Sequence, residues 1–149
     1  MTDRRTWVTL VEQAQEAFRA AEARRLEAQG AVQRAQDRLE RLEALLASAV
    51  APSNNSSSSD FLQYRAYLQK LQQLHARLER EIFVLDEDFK AAGRESAAAG
   101  ELLRRYEAVL ARNEAQAAKA AQRAEQRAME AVALSRFLRT QRGMLGGAQ

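Results

Sequence analysis

The feature that most constrains this chain is a seven-residue repeat of apolar residues, which runs with one phase from Phe61 to Leu138. Such a repeat lays an apolar stripe along one side of a helix, and a second helix must supercoil around the first to cover that stripe. The sequence therefore predicts one long helix over about 60–141, with Asp60 and Gln63 as its capping pair. Polar residues interrupt the stripe at His75, Ser96, Asn113 and Arg127.

A second repeat runs from Trp7 to Ala49, and Arg25 is its only charged member. It ends at Pro52, because proline disfavours helical geometry in the residue before it. The pattern predicts a first helix over about 3–50, which needs a partner for the same reason as the long helix.

Residues 51–59 are rich in serine and asparagine, which predicts a polar loop between the two helices. Helices joined by so short a connection fold back on each other. The predicted fold class is all-α, a two-helix antiparallel coiled-coil hairpin with a longer second helix. We expect a single coiled-coil domain over 1–149 with a flexible tail at 142–149.

The hairpin geometry predicts which residues face each other. Around the loop, residues pair when their numbers total about 110, so Leu39 faces Leu71 and Trp7 lies near Leu103. The second helix is about 120 Å long and the first about 70 Å. We therefore expect residues 107–142 to lack a partner within the chain. This unpaired segment has an alanine-rich stripe, and basic residues outnumber acidic ones there.

Gly93 and Gly100 mark the one place where the long helix could break, which would give a three-helix, spectrin-like bundle. Each glycine costs a helix about 1 kcal/mol relative to alanine. The apolar stripe nevertheless keeps its phase across both glycines, which a turn has no reason to preserve. The pattern favours a continuous or merely bent helix.

Charge is interleaved along the chain, with 23 basic and 20 acidic residues and a formal net charge of +3. Such patterning is typical of a solvated helix surface, and acidic residues interrupt every basic run, which argues against nucleic-acid binding. The absence of cysteine excludes disulfides and cysteine-based zinc sites. Neither a signal peptide nor an apolar run of about 18 residues is evident, so we expect a cytoplasmic protein without direct membrane insertion.

No arrangement of catalytic groups is evident, and we expect no enzyme activity, no cofactor and no metal site. His75, the only histidine, falls on the apolar stripe without a second ligand type at metal-binding spacing. Its position favours a packing role.

Several apolar residues lie off the two stripes close to the loop. Tyr67 and Leu74 have this position in the second helix, and Leu45 has it in the first. They either widen the interface between the helices or form a docking patch. The sequence leaves both interpretations open.

The segment from Phe61 to Leu71, FLQYRAYLQKL, opens the second helix directly after the polar loop. It resembles the start of the second helix in the FliJ/YscO family, the stalk proteins of flagellar and virulence type III export machines. The resemblance implies an antiparallel coiled coil similar to part of the γ subunit of rotary ATPases. Its expected partners are a hexameric export ATPase, an export-gate membrane protein and, as a third class, secretion chaperones. The expected location is the cytoplasm, peripheral to the inner-membrane export apparatus.

The resemblance also suggests gate-binding residues. The family pattern falls on Tyr67, Leu71 and Leu74 in the second helix, and a histidine common at the next position is Leu78 here. In the first helix the best register offers Leu42 and Leu45, whereas both tyrosines of the family pattern are absent. The pattern leaves open whether the system is flagellar or virulence-related.

The unpaired segment is expected to enter the ATPase ring, because an alanine-rich helix is narrow and arginines are long donors for carboxylates and carbonyl groups. A generic coiled-coil scaffold or homodimer is the alternative that the repeats alone support. The expected ring contacts are Arg4, Arg5, Arg112, Arg123, Arg127, Arg136 and Arg139.

Overall fold

The structure of the chain is a computed structural model that describes residues 4–146. It consists of two α-helices, α1 over Arg4–Ser48 and α2 over Ser58–Gly146, and residues 4–146 contain no strand. The predicted all-α fold class with a longer second helix is confirmed. α2 continues into the predicted tail at 142–149, of which residues 147–149 lie outside the described part.

The start of α2 is set by a reciprocal pair of hydrogen bonds between Ser57 and Asp60. The backbone N–H of Asp60 donates to Ser57 Oγ at 3.3 Å, and the backbone N–H of Ser57 donates to Asp60 Oδ2 at 3.2 Å. Ser57 is therefore the N-cap and Asp60 completes the capping box. The expected Asp60–Gln63 pair is wrong, because the serine before the helix supplies a better-placed acceptor.

By its internal contacts, the chain divides into two compact units, to which both helices contribute. One unit is Gln13–Leu103, and the other joins the residues up to Glu12 with those from Arg104 onward. That the two units act as one coiled-coil domain stays a prediction.

Within Gln13–Leu103 the helices run antiparallel, since Glu43 contacts His75 while Glu22 contacts Ser96. The repeat positions of both helices are buried or half-buried along this contact. Many of the α1 positions are alanine, which allows close approach of the helices. The buried apolar residues of this unit are Ala14, Ala21, Ala35, Leu42 and Leu71.

α2 runs without interruption through Gly93 and Gly100, so the three-helix alternative is wrong. Gly100 lies against Phe18 of α1, where an added Cβ would stand 3.0 Å from the Phe18 ring edge. Gly93 has no such neighbour, because an added Cβ would meet nothing within 4 Å. Close helix approach therefore explains Gly100 alone.

A polar layer crosses the apolar interface at Arg25 and Ser96. Arg25 donates from Nε and Nη2 to the two carboxylate oxygens of Glu22, both at 3.1 Å, and the Ser96 hydroxyl donates to the same carboxylate. The pKa of Glu22 is lowered, first by the Arg25 hydrogen bond and then by Ser96. The charge on the α1 stripe is thus neutralised by a neighbour on its own helix.

The register differs from the prediction by about one heptad. The expected pairing would have placed Asp88 opposite Glu22, whereas Ser96 lies there. Registers one heptad apart bring the same stripes together, so the repeats could not distinguish them. The polar contacts favour the observed register, and the loop permits it, since α1 stops at Ser48 and leaves a loop long enough to run back along α2.

In the other unit, the rings of Trp7 and Tyr106 meet edge to face with centroids 6.0 Å apart. Arg4 Nη2 forms an ion pair with Glu114 Oε1 at 3.2 Å. Repeat positions stay half-buried as far as Asn113. The segment without a partner therefore begins later than the predicted residue 107, as the shifted register requires.

Candidate docking surfaces

A shallow groove of about 390 Å³ lies between the helices of Gln13–Leu103, close to the loop. It brings together Leu42 and Leu45 of α1 and Leu74 of α2, three of the residues to which the resemblance assigned gate binding. Leu45 and Leu74 are 49% and 45% exposed, whereas Leu42 is only 7% exposed. We call this surface the tip groove, and its lining residues are Arg38, Arg41, Leu42, Leu45, Leu74, Arg77, Leu78 and Glu81.

Two of the expected gate-binding residues do not line the tip groove. Leu71 is 6% exposed and packs in the helix interface. Tyr67 is exposed on α2, one heptad before Leu74. Of the expected gate residues in α2, only Leu74 therefore joins the α1 leucines in this register.

The rim of the tip groove is predominantly basic. Arg38, Arg41 and Arg77 surround the leucines, and Glu81 is the one acidic lining residue. Sequence reasoning missed these arginines because it followed apolar residues alone. Their spacing of three and four from Leu42, Leu45 and Leu74 was the available signal.

His75 lies half-buried between two carboxylates. Its Nε2 is 3.2 Å from Glu43 Oε1 on α1, and its Nδ1 is 3.5 Å from Glu79 Oε1 on α2. The residue therefore contributes to packing and to pairing between the helices. Within residues 4–146, no group of three or more His, Asp or Glu residues could hold a metal ion.

The second surface is the part of α2 from 114 to 145, where every side chain is exposed. We call it the exposed segment. Within residues 4–146, none of its arginines forms an ion pair or a side-chain hydrogen bond. The predicted ring contacts on it are Arg123, Arg127, Arg136 and Arg139, and Arg112 lies just before it.

Two further predicted ring contacts, Arg4 and Arg5, lie exposed at the start of α1. Arg4 already pairs with Glu114, although its side chain remains 73% exposed. Both arginines belong to the same compact unit as the exposed segment. The structure thus groups the predicted cations in one unit.

The exposed segment also carries large apolar side chains that sequence reasoning missed. Met129 and Val132 line a surface depression of about 440 Å³ together with Arg136. Phe137 is exposed on the same segment. Sequence reasoning missed these residues because it followed only one stripe of α2. A helix that is apolar on several sides is usually surrounded by other protein.

A third apolar surface lies on α2 at Phe83 and Val84. Phe83 is 68% exposed, and the two residues line a depression of about 560 Å³ with Glu79 and Arg80. Neither residue belongs to the stripe, so sequence reasoning did not select them. Their charged neighbours have opposite signs and favour no particular partner.

These features define a helical hairpin protein with exposed apolar and basic surfaces. No helix among residues 4–146 is long and apolar enough to cross a membrane. The family model described as flagellar FliJ protein matches residues 6–142, and the chain belongs to this family. No curated protein and no solved structure matches the chain significantly. The resemblance seen in the sequence is confirmed, and membership supports a role related to flagellar export as a structural component.

Proposed function

We propose that the protein is the central stalk of a type III protein export ATPase. The exposed segment, with the start of α1, inserts into a hexameric ATPase ring and promotes its assembly and activity. The tip groove binds the export-gate membrane protein. The protein works in the cytoplasm, peripheral to the inner-membrane export apparatus, and secretion chaperones are a further class of partner.

One observation carries the proposal: residues 114–145 form a helix whose side chains are all exposed, including Met129 and Phe137. An isolated helix gains little from burial and is marginal in water. A surrounding protein would cover its apolar side chains and satisfy its arginines. Its many alanines keep it narrow, which suits a ring channel.

The arginines supply the polar half of that contact. Guanidinium groups form paired hydrogen bonds with carboxylates and reach further than other donors. Arg123 and Arg127 stand one helical turn apart and have no partner among the described residues. Arg127 also occupies a repeat position, where a coiled-coil partner would favour an apolar residue.

The tip groove supports the second contact. Leu45 and Leu74 offer half-exposed apolar anchors, and the basic rim favours a partner segment with acidic residues beside its apolar ones. We assign the groove to the export gate.

The test measures ATP hydrolysis by the cognate export ATPase with the wild-type protein, with a chain ending at Glu114, and with Arg123→Glu combined with Arg127→Glu. Both variants should lose most of the stimulation, because the ring would lose its arginine contacts. The matched control combines Arg19→Glu with Arg94→Glu, two exposed arginines within Gln13–Leu103. If the chain ending at Glu114 still stimulates ATP hydrolysis, the exposed segment is not required for activating the ATPase.

The alternative, a generic cytoplasmic coiled-coil scaffold or homodimer, has one observation in its favour. Leu134 and Leu138 fall on the α2 repeat and are exposed, so a second copy could cover them. The molar mass in solution, measured by light scattering at several concentrations, separates the two. A stable dimer that excludes the ATPase would favour the alternative.

A further inference from the structure

Two glycines of α2, Gly93 and Gly100, stand seven residues apart on the same face, but only one has a packing role. Gly100 makes room for Phe18, whose ring edge would lie 3.0 Å from an added Cβ. Gly93 meets nothing within 4 Å. Because glycine is unfavourable inside a helix, Gly93 weakens α2 without serving this register.

We propose that α1 slides by one heptad along α2 between the register described above and a second one, in which Phe18 packs on Gly93. A shift of seven residues moves a helix by about 10 Å along its axis. The shift carries α1 toward the start of α2. The register described above is the more populated of the two.

The apolar stripes allow this movement. Both follow one unbroken seven-residue phase, so a displacement of seven residues returns repeat positions to repeat positions. Leu42 and Leu46 would then face the repeat positions Leu68 and Tyr64 of α2. Within Gln13–Leu103, the second register therefore again sets repeat positions of one helix against repeat positions of the other.

The ion pairs between the helices can re-form after the shift. Arg24 pairs with Glu95 at 3.7 Å, and the residue seven positions earlier is Asp88. Within residues 4–146, Asp88 has no ion pair. In the other unit, Arg4 pairs with Glu114, and the residue seven positions earlier is Glu107.

Two polar contacts and the ring contact between Trp7 and Tyr106 have no counterpart in the second register, since the residue seven positions before Tyr106 is Ala99. Seven positions before Ser96 is Phe89, and seven positions before His75 is Leu68, neither of which can pair with a carboxylate. The bonds from Ser96 to Glu22 and from His75 to Glu43 therefore favour the register described above. These two bonds make the present register the more stable one, but they do not prevent exchange with the second register.

The loop has enough length for both registers. Residues 49–57 can span about 30 Å when extended. With Glu43 opposite His75, the end of α1 lies about 18 Å along the axis from the start of α2, and the shift reduces this to about 8 Å. The loop therefore does not lock the register.

The shift would change the tip groove. Tyr67 precedes Leu74 by seven residues, so it would move to the place beside Leu45 that Leu74 now occupies. The tip groove would then include Tyr67, which lies outside it in the present register. On the proposed function, register thus regulates which residues meet the export gate.

The test uses nitroxide labels at Arg34 and Arg65, exposed residues on α1 and α2 of the same unit, since the chain has no cysteine to interfere. The distance between the unpaired electrons of the two labels is measured on the full chain without any partner protein. Gly100→Leu obstructs the present register and should shift the main distance about 10 Å shorter. Gly93→Leu is the matched control, because it obstructs only the second register. In this variant only the longer distance should be observed.

A second variant avoids the glycines. Ser96→Ala combined with His75→Leu removes two polar contacts that only the present register makes. The double variant should raise the short-distance population in a chain that remains helical by circular dichroism. If this variant and Gly100→Leu both give the single distance of the wild-type chain, the proposal is overturned. Since no partner is present, this outcome is independent of whether the protein acts as a stalk.

Discussion

At the scale of single residues, the polar layer shows how a charge is tolerated on an apolar stripe. The guanidinium of Arg25 pairs with the carboxylate of Glu22, three residues earlier on the same helix. Ser96 from α2 completes the carboxylate's hydrogen bonds. A polar group at such a position specifies register at some cost in stability.

This layer predicts a pH dependence of stability. The pKa of Glu22 lies below its ordinary value of 4.5 in the folded chain, so its contribution is complete above that value and is lost as pH falls through the folded pKa. Glu22→Gln should therefore be less stable than wild type at about pH 7, and the difference should shrink toward about pH 3. Urea unfolding at several pH values measures it.

Glu27→Gln is the control for that experiment. Glu27 is an exposed residue of α1 that forms no ion pair or side-chain hydrogen bond within residues 4–146. Its variant should follow the wild-type curve at every pH. A Glu22→Gln difference that stays constant with pH would mean that the carboxylate charge does not stabilise the fold.

At the scale of elements, α2 combines two kinds of helix in one unbroken run. From Tyr64 to Asn113 its repeat positions are buried or half-buried, and from 114 to 145 every side chain is exposed. The first part is stabilised by packing, whereas the second depends on helix propensity alone. The change follows from the register, since Arg4 lies opposite Glu114.

Hydrogen exchange should detect this difference. In the protein alone, backbone amides of 116–145 should exchange at least about tenfold faster than those of 64–106, because local opening costs little where nothing packs. Addition of the hexameric ATPase should slow exchange in 116–145. Equal protection of both parts in the isolated chain would mean that the segment is already covered, for instance by a second copy.

At the scale of the whole molecule, the tip groove is the surface through which we expect the gate to bind. Leu45→Ala combined with Leu74→Ala should weaken binding to the cytoplasmic part of the gate protein by at least about tenfold, because half-exposed anchors can be removed without emptying a core. Calorimetry measures the affinity, and circular dichroism checks the helix content.

Leu26→Ala is the matched control, since Leu26 is also an exposed leucine, at 56%, but does not line the tip groove. It should bind the gate like wild type. Equal weakening by both changes would mean that the leucines act through general stability and that the groove is not the docking site.

The sequence was sufficient for the two helices and for the α2 positions that pack between Tyr64 and Asn113, because the seven-residue repeat determines both. Phe61 and the repeat positions after Asn113 are exposed. The sequence was not sufficient for the register, since shifting Phe18 from Gly93 to Gly100 leaves the repeat unchanged. The family pattern selected Leu42, Leu45 and Leu74, and the structure brings them into one groove. That they bind the gate stays a prediction. The arginines of the groove rim and Met129 were missed, because they lie beside the stripes.

The pairing of Arg25 with Glu22 has a consequence for how the hairpin assembles. Both charges come from one helix, so the cation is already compensated when α1 forms and before α2 approaches. When α2 packs on α1, both surfaces therefore carry little net charge at that layer. An unpaired guanidinium does not have to be desolvated in this step. The hydrogen bond from Ser96 is then the part of the polar layer that forms only after the helices have met.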